Sequence, residues 1–253
     1  MKKIFLSIAA TDSIGGAGIQ ADNRTALNFG LYPVNVVTAV TAQNSSGFEA
    51  IEPVSTDIIE RQFRAVCDDL RPDCVKIGML PDKESIEVVA RLLGEYGLKN
   101  IVLDPVLAPT KGNISDREDL ALDILEHFKT IVTLVTPNVS ENFSFKLKTP
   151  HPEEIFDAYL LKGGDSFGSE CHDVLFYKNS KREIKKAYFS SLRVRTSNLH
   201  GTGCVLSSAI ACCLALGMDL IKAVQAAKLY VTENLIKNSD VSFGKGLYGP
   251  VLF

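Results

Sequence analysis

Residues 4–30 read IFLSIAATDSIGGAGIQADNRTALNFG. The apolar run at 4–10 passes Asp12 and enters the turn Gly15-Gly16-Ala17-Gly18, and residues 19–29 follow with helical spacing up to Gly30. A short apolar run bounded by turn residues is a buried strand, and a glycine after a periodic stretch is a helix stop. The opening also superficially resembles a signal peptide, but its apolar run is short and leads directly into a glycine turn. Strand, tight turn and helix in that order are the unit of an α/β sheet.

The rhythm continues along the chain. Residues 34–41 are a β-branched run, and 57–70 are helical with Thr56 or Asp57 as the cap. A strand at 74–79 precedes a helix at 83–96 closed by Gly97, and a strand at 100–103 runs into Asp104-Pro105. A helix at 116–128, a strand at 130–135 stopped by Thr136-Pro137-Asn138, and a strand at 158–161 ending in Lys162-Gly163-Gly164 follow. Strands separated by helices of this length require crossover connections, hence a mostly parallel central sheet with helices on both faces. Residues 173–195 break the pattern with β-like runs at 174–177 and 184–189 around a polar turn, read as a small antiparallel edge. Two apolar helices, 204–216 and 219–236, finish the chain. Without repeat or linker, residues 1–253 form a single domain.

Composition narrows the function class. The 253 residues carry a formal charge of only −3, and the densest basic cluster, Lys181, Arg182, Lys185 and Lys186, falls on the expected hairpin, so no nucleic-acid partner is indicated. No run approaches the roughly 20 apolar residues of a membrane span, so no membrane partner is expected. The six cysteines include no Cys-x-x-Cys pair, which points to reduced thiols and a cytoplasmic protein.

In open α/β sheets ligands bind beyond the carboxyl ends of the strands, and the polar residues of this chain collect at those ends. Gly16, Gly18 and Ala21 fit a dinucleotide fingerprint, but the following strand ends in Gln43 with no carboxylate to hold a ribose. There is no P-loop motif either, so the first glycine turn is read as a place where a ligand ring approaches the backbone. The second turn, His200-Gly201-Thr202-Gly203-Cys204, runs directly into an apolar helix. Glycines around a small hydroxyl residue at a helix N-terminus form an anion hole suited to a phosphoryl group in flight. A helix N-terminus lowers a thiol pKa, so Cys204 is expected as a partly ionised thiolate that accepts a proton; the alternative is a structural cysteine like Cys212 and Cys213. As general base, its loss would lower turnover by orders of magnitude. Asn138 and Glu141 read either as oxygen ligands for Mg²⁺, shared with Asp104, or as a helix cap with its first-turn acid. Lys162 is placed to meet a phosphate, or is simply solvated.

Taken in order, TDSIGGAGIQAD at 11–22, TAQNS at 41–45, KIGML at 76–80, DPV at 104–106, TPN at 136–138 with Glu141, KGG at 162–164, HGTGC at 200–204 and GKGLYGPV at 244–251 resemble the hydroxymethylpyrimidine and phosphomethylpyrimidine kinases of thiamine biosynthesis. These are ribokinase-like proteins related to pyridoxal kinases. The resemblance implies a ribokinase-like three-layer sandwich, a homodimer, and ATP with Mg²⁺. It would set the pyrimidine against Ala17, Met79 and Val106, with Asp22 and Gln43 as polar contacts. Lys162, Asn138 and Glu141 would serve the ATP phosphates and the metal, Lys245 would reach a phosphate, and Cys204 would stand where sugar-kinase relatives carry an Asp base. Ala10 and Ile14 replace smaller family residues, Asp165 stands where the family commonly has His, and the 141–162 stretch is short and lacks the expected Ala/Leu-rich helix. A pyridoxal kinase is the alternative within the fold, although Gln43-Asn44 replaces its usual Met-Asp and 108–117 holds no cysteine. A non-catalytic protein that binds a vitamin precursor is the alternative outside it.

Overall fold

The computed structural model describes residues 2–107, 114–164, 168–241 and 244, without the side chains of 114–117. Its eight-stranded sheet has the order β10-β9-β8-β7-β6-β5-β1-β2. The parallel strands are β1 (Ile4–Ala9), β2 (Tyr32–Val37), β5 (Cys74–Ile77), β6 (Ile101–Leu103), β7 (Leu134–Val135) and β8 (Ala158–Leu161). At one edge β9 (Glu170–Lys178) pairs antiparallel with β8, and β10 (Ile184–Leu192) pairs antiparallel with β9.

Two apolar clusters lie on opposite faces of this sheet, which makes three layers. Leu6, Ile8, Val75, Ile77, Ile101 and Leu103 pack with α2 (Thr56–Cys67), α3 (Lys83–Tyr96), α4 (Ile114–Phe128) and α5 (Val139–Lys148). Phe5, Cys74, Val102 and Leu134 point the other way, towards α1 (Gly18–Asn28), α7 (Thr202–Ala215) and α8 (Leu220–Lys237). Residues alternate between faces, yet both faces are covered, so the strands read as continuous apolar runs. The helices end where local chemistry ends them. Asp82 caps α3 in a reciprocal box with Ser85, and Gly97 closes it at a left-handed φ of 57°. The expected α/β architecture with its antiparallel edge is the one observed.

Three local readings change. The run at 34–41 is broken at Thr38, whose N–H donates to Ala9 O (3.0 Å) and whose hydroxyl donates to Met79 O (2.7 Å). After that break β3 (Ala39–Asn44) leaves the main sheet and pairs with β4 (Gly47–Pro53) in a separate two-stranded flap. The strand at 130–135 shortens to β7. The stretch after Glu141, expected to lack a helix of the usual kind, forms α5 and the short α6 (Pro152–Ile155). Phe145 of α5 is fully buried and meets Tyr159 of β8 edge-on at 6.4 Å. Among the described residues no helix is long and apolar enough to cross a membrane.

Candidate active site

Strands β6, β5 and β1 are neighbours, so the segments leaving their carboxyl ends share one rim. The loop after β1 folds around Asp12, which is 1% exposed. Its Oδ1 accepts from Ile14 N (3.0 Å), and its Oδ2 accepts from Ala17 N (2.7 Å). Gly18 takes a φ of 55°, and a Cβ there would lie 2.3 Å from Ala10 O, so only glycine fits. The Ser13 hydroxyl donates to Gln43 O (2.7 Å) and accepts from Gln43 N (2.8 Å), which fastens the β3–β4 flap over this loop. Met79 follows β5 and Val106 follows β6, both half-buried. Ala17, Gln43, Met79 and Val106 thus stand on segments that follow β1, β5 and β6 or are fastened to the loop after β1.

The anion-hole turn, at the start of the neighbouring helix α7, abuts the same loop. Gly201, the N-cap of α7, has φ 88°, and a Cβ there would fall 1.8 Å from Gly16 O. The two glycine-rich turns are in direct backbone contact. Helices α3, α5 and α8 are capped by the side chains of Asp82, Asn138 and Asp219, whereas α7, like α1 and α2, has no side-chain cap. Of its first N–H groups, Thr202 N donates to Leu199 O (3.2 Å), and Gly203 and Cys204 follow it in the first turn, at the positive end of the helix dipole. A cavity of about 470 Å³ opens there, lined by Thr202, Gly203, Asn138, Lys162 and Gly164 at one end and by Leu199, Val231 and Leu235 further along. Size, apolar walls and a few convergent polar groups are the properties of a small-molecule site.

Lys162 and Asp104 complete this end. The Lys162 ammonium donates to Asp104 Oδ1 at 2.6 Å. A Cβ on Gly203 would stand 3.3 Å from Lys162 Nζ and 3.4 Å from Asp104 Oδ2. The missing side chain at 203 is what lets the pair approach the turn. Burial disfavours the Lys162 charge, but Asp104 and Glu141 outweigh it and hold the pKa above the ordinary lysine value. A permanent cation thus sits beside the uncapped N–H groups. The KGG turn is itself braced. Asp173 Oδ1 accepts from Gly163 N (2.9 Å), Asp173 Oδ2 accepts from Lys228 (2.6 Å), and Arg193 donates to Gly164 O (2.7 Å) and Gly168 O (2.9 Å).

The expected thiolate at Cys204 is corrected. Burial pushes the thiol up to about 11, against the lowering influence of Lys76 and of the Gly18 N–H, while the Asp22 and Asp104 carboxylates reinforce the rise. Desolvation and two nearby carboxylates outweigh Lys76 and the Gly18 N–H. Cys204 rests as a thiol.

The sequence model of the phosphomethylpyrimidine kinase family matches residues 12–251. The chain belongs to that family. It is similar to the hydroxymethylpyrimidine/phosphomethylpyrimidine kinase of Rhizobium meliloti, with 38% identity over 264 residues, covering 99% of this chain and 97% of that one. The phosphomethylpyrimidine kinase of Clostridium difficile superposes with a TM-score of 0.72 at 33% identity, covering 92% of this chain and 99% of that one. The ADP complex of Bacillus subtilis pyridoxal kinase superposes with a TM-score of 0.82 at 28% identity, covering 98% and 95%. The protein is a phosphotransferase of the phosphomethylpyrimidine kinase family, with the fold its motifs imply.

Within this kinase several residues stand differently from the sequence-based expectation. Asp22, expected as a polar contact for the pyrimidine, is fully buried. It accepts from Ser7 (2.6 Å), Ser208 (2.9 Å) and Lys76 (2.9 Å), so it anchors α1 and α7 to the sheet and offers no exposed oxygen. Lys76 is equally buried; burial works against its charge, but Asp22 keeps its pKa above the ordinary value. Asn138 and Glu141 form a reciprocal capping box on α5, with Asn138 Oδ1 accepting from Glu141 N (2.8 Å) and Glu141 Oε2 accepting from Asn138 N (2.7 Å). The cap reading holds for both, and Asn138 still lines the cavity. Lys245 and Asp165 lie outside the described residues, as do 108–113 of the 108–117 segment. Sequence reading gives no role to Asp173 and Lys228 and misses the pairings of Lys76 with Asp22 and of His200 with Asp12. A lysine inside the apolar strand Cys74-Val75-Lys76-Ile77 was the one local signal; the others are pairings across distant segments.

Proposed function

We propose that the protein transfers the γ-phosphoryl group of ATP to the hydroxymethyl oxygen of hydroxymethylpyrimidine, and in a second round phosphorylates the resulting monophosphate. The observation that carries this reading is the uncapped N-terminus of α7 with Lys162 beside Gly203, opening on the cavity and backed by the loop that carries Ala17. The ATP phosphates lie against Gly201, Thr202, Gly203 and Lys162, with Asn138 at the cavity wall. The pyrimidine ring lies against Ala17, Met79 and Val106, and Gln43 meets its polar edge. Asp104, just after β6, and Glu141, in the first turn of α5 that follows β7, are hard oxygen donors of the kind that would hold Mg²⁺ mostly through water. When bound, the ion supplies charge neutralisation between the phosphates. The substrate oxygen forms its bond to phosphorus as the bond to the bridging oxygen of ADP breaks, and the alcohol proton passes to Cys204 Sγ in its thiolate form. The partial charge on the transferred group is met by the α7 N–H groups, which need no reorganisation.

A coupled ADP-release assay with hydroxymethylpyrimidine, its monophosphate and pyridoxal in parallel tests the reading. Higher kcat/KM on the pyrimidines supports it, and preference for pyridoxal moves the same residues to vitamin B6. That second reading is favoured by the likeness to the Bacillus subtilis pyridoxal kinase. Gln43→Met should weaken the aminopyrimidine more than pyridoxal; equal effects would remove the role given to Gln43. The short 141–162 stretch is what would favour a precursor-binding protein without turnover, and α5 supplies a folded, capped helix there. Titration with ATP and Mg²⁺ separates that alternative, since a mere sensor binds precursor without nucleotide. We further propose a cytoplasmic homodimer, to be checked by light scattering and by fractionation.

A further inference from the structure

A part-buried contact joins the two glycine-rich turns. His200 Nε2 lies 2.8 Å from Asp12 Oδ2, across 188 residues of sequence. Asp12 is 1% exposed and His200 retains 27% side-chain exposure. The carboxylate already holds the first glycine turn through Ile14 N and Ala17 N, and His200 immediately precedes the anion-hole turn. Asp12 accepts, so His200 donates its Nε2–H. The bond reaches from the turn that carries Ala17 to the turn that carries Gly201, Thr202 and Gly203.

We infer that Asp12 and His200 form a positioning clamp that sets the substrate loop in register with the anion-hole turn. The inference deepens the kinase reading and rests on it. Phosphoryl transfer needs the attacking oxygen within about 3–3.5 Å of phosphorus, and a misplacement of about 1 Å costs roughly 10²-fold. The two reactants are held by turns that lie far apart in the sequence and enter neighbouring helices, α1 and α7. The contact of Gly201 with Gly16 brings the turns together, but two glycine backbones in van der Waals contact can slide past one another. A directional bond from a buried carboxylate, itself fixed by two backbone N–H groups, resists that sliding. The guanidinium of Arg24, which donates to Gly15 O from α1, braces the same loop from behind.

The test compares His200→Ala with His200→Gln, whose amide nitrogen can reach where Nε2 was. The readouts are kcat, both KM values, and ADP released per pyrimidine phosphorylated. His200→Ala should lower kcat by about 10–100-fold. Both of its KM values should stay within about threefold of wild type, and ADP release to water should rise relative to product, because ATP still binds but its acceptor is misaligned. His200→Gln should restore kcat to within about threefold, with coupling near wild type. A folded His200→Ala enzyme with wild-type kcat and coupling overturns the clamp, and so does a His200→Gln enzyme as impaired as His200→Ala. Should His200→Ala fail to fold, His200→Asn, whose amide falls short of Asp12, takes its place under the same criteria. Wild-type protein without turnover defeats the kinase reading; wild-type turnover with unaltered variants defeats the clamp alone.

Discussion

Removal of the Cys204 thiol is predicted to have an effect that depends steeply on pH. With its thiol pKa at about 11, Cys204 is a thiolate in roughly one molecule in 3,000 at pH 7.5, each pH unit multiplying that fraction by ten. A positioned general base contributes at most about 10⁴-fold when fully in its basic form. Weighted by the thiolate fraction, the advantage at pH 7.5 is about threefold, and at pH 9.5 about 300-fold. Cys204→Ala should therefore be only slightly impaired at neutral pH, with a deficit that widens tenfold per unit, in place of the orders-of-magnitude loss expected from the helix N-terminus alone. Lys162 and Lys76 are held above their ordinary values and keep their charge over this range, so they do not contribute to the slope. The assay is kcat/KM for hydroxymethylpyrimidine from pH 7 to 9.5, for wild type and variant, with folding followed by circular dichroism at each pH. A deficit of several hundredfold at pH 7.5 that stays flat with pH would show a preformed thiolate and refute the dominance of desolvation. No deficit at any pH would remove Cys204 as the proton acceptor.

Other outcomes follow from the packing. Lys76→Met leaves the buried Asp22 carboxylate without its cation and should cost about 3–5 kcal/mol in urea unfolding. The double variant Asp22→Asn/Lys76→Met should recover much of that, and a double as unstable as the single would contradict the pairing. Gly201→Ala would put a Cβ 1.8 Å from Gly16 O at a φ of 88°, so it should lower Tm and abolish turnover together; a variant with unchanged Tm and kcat would show that the turns can part freely. Stability should fall at high pH. Burial raises the thiols of Cys67, Cys204 and Cys213 to about 11 and those of Cys74 and Cys212 further still. The unfolded chain loses those protons from about pH 8.5. Over the window from there to about 11 it binds fewer protons than the native state, so the stability slope is negative, about 1.4 kcal/mol per pH unit for each fully titrating thiol. A urea midpoint unchanged between pH 7.5 and 10 would contradict this burial.

The flap shows where reading from sequence stopped. Strand β4, Gly-Phe-Glu-Ala-Ile-Glu-Pro at 47–53, is largely exposed and carries no clean alternation, so no periodic signal marks it. The break between β2 and β3 at Thr38 is also invisible locally, because it is made by bonds to Ala9 and Met79 from two other segments. At the site, the uncapped α7 turn was legible because glycines at a helix start are a local feature. The capping box of Asn138 and Glu141 was legible too, as one of two alternatives.

The sequence by itself determined the strand–helix alternation, the antiparallel edge, the rim on which polar residues gather, and the two glycine turns, since each follows from spacing and turn chemistry within a few residues. The tertiary structure alone decided the states and partners of the groups on that rim. Asp22 became an anchor because Lys76, Ser7 and Ser208 converge on it. Cys204 stayed protonated because desolvation and neighbouring carboxylates outweigh Lys76 and the Gly18 N–H. Asp12 met His200 because α1 and α7 pack side by side and bring their leading turns into contact. Charge and burial depend on the sum of neighbours in space, and that sum is set only when distant segments pack.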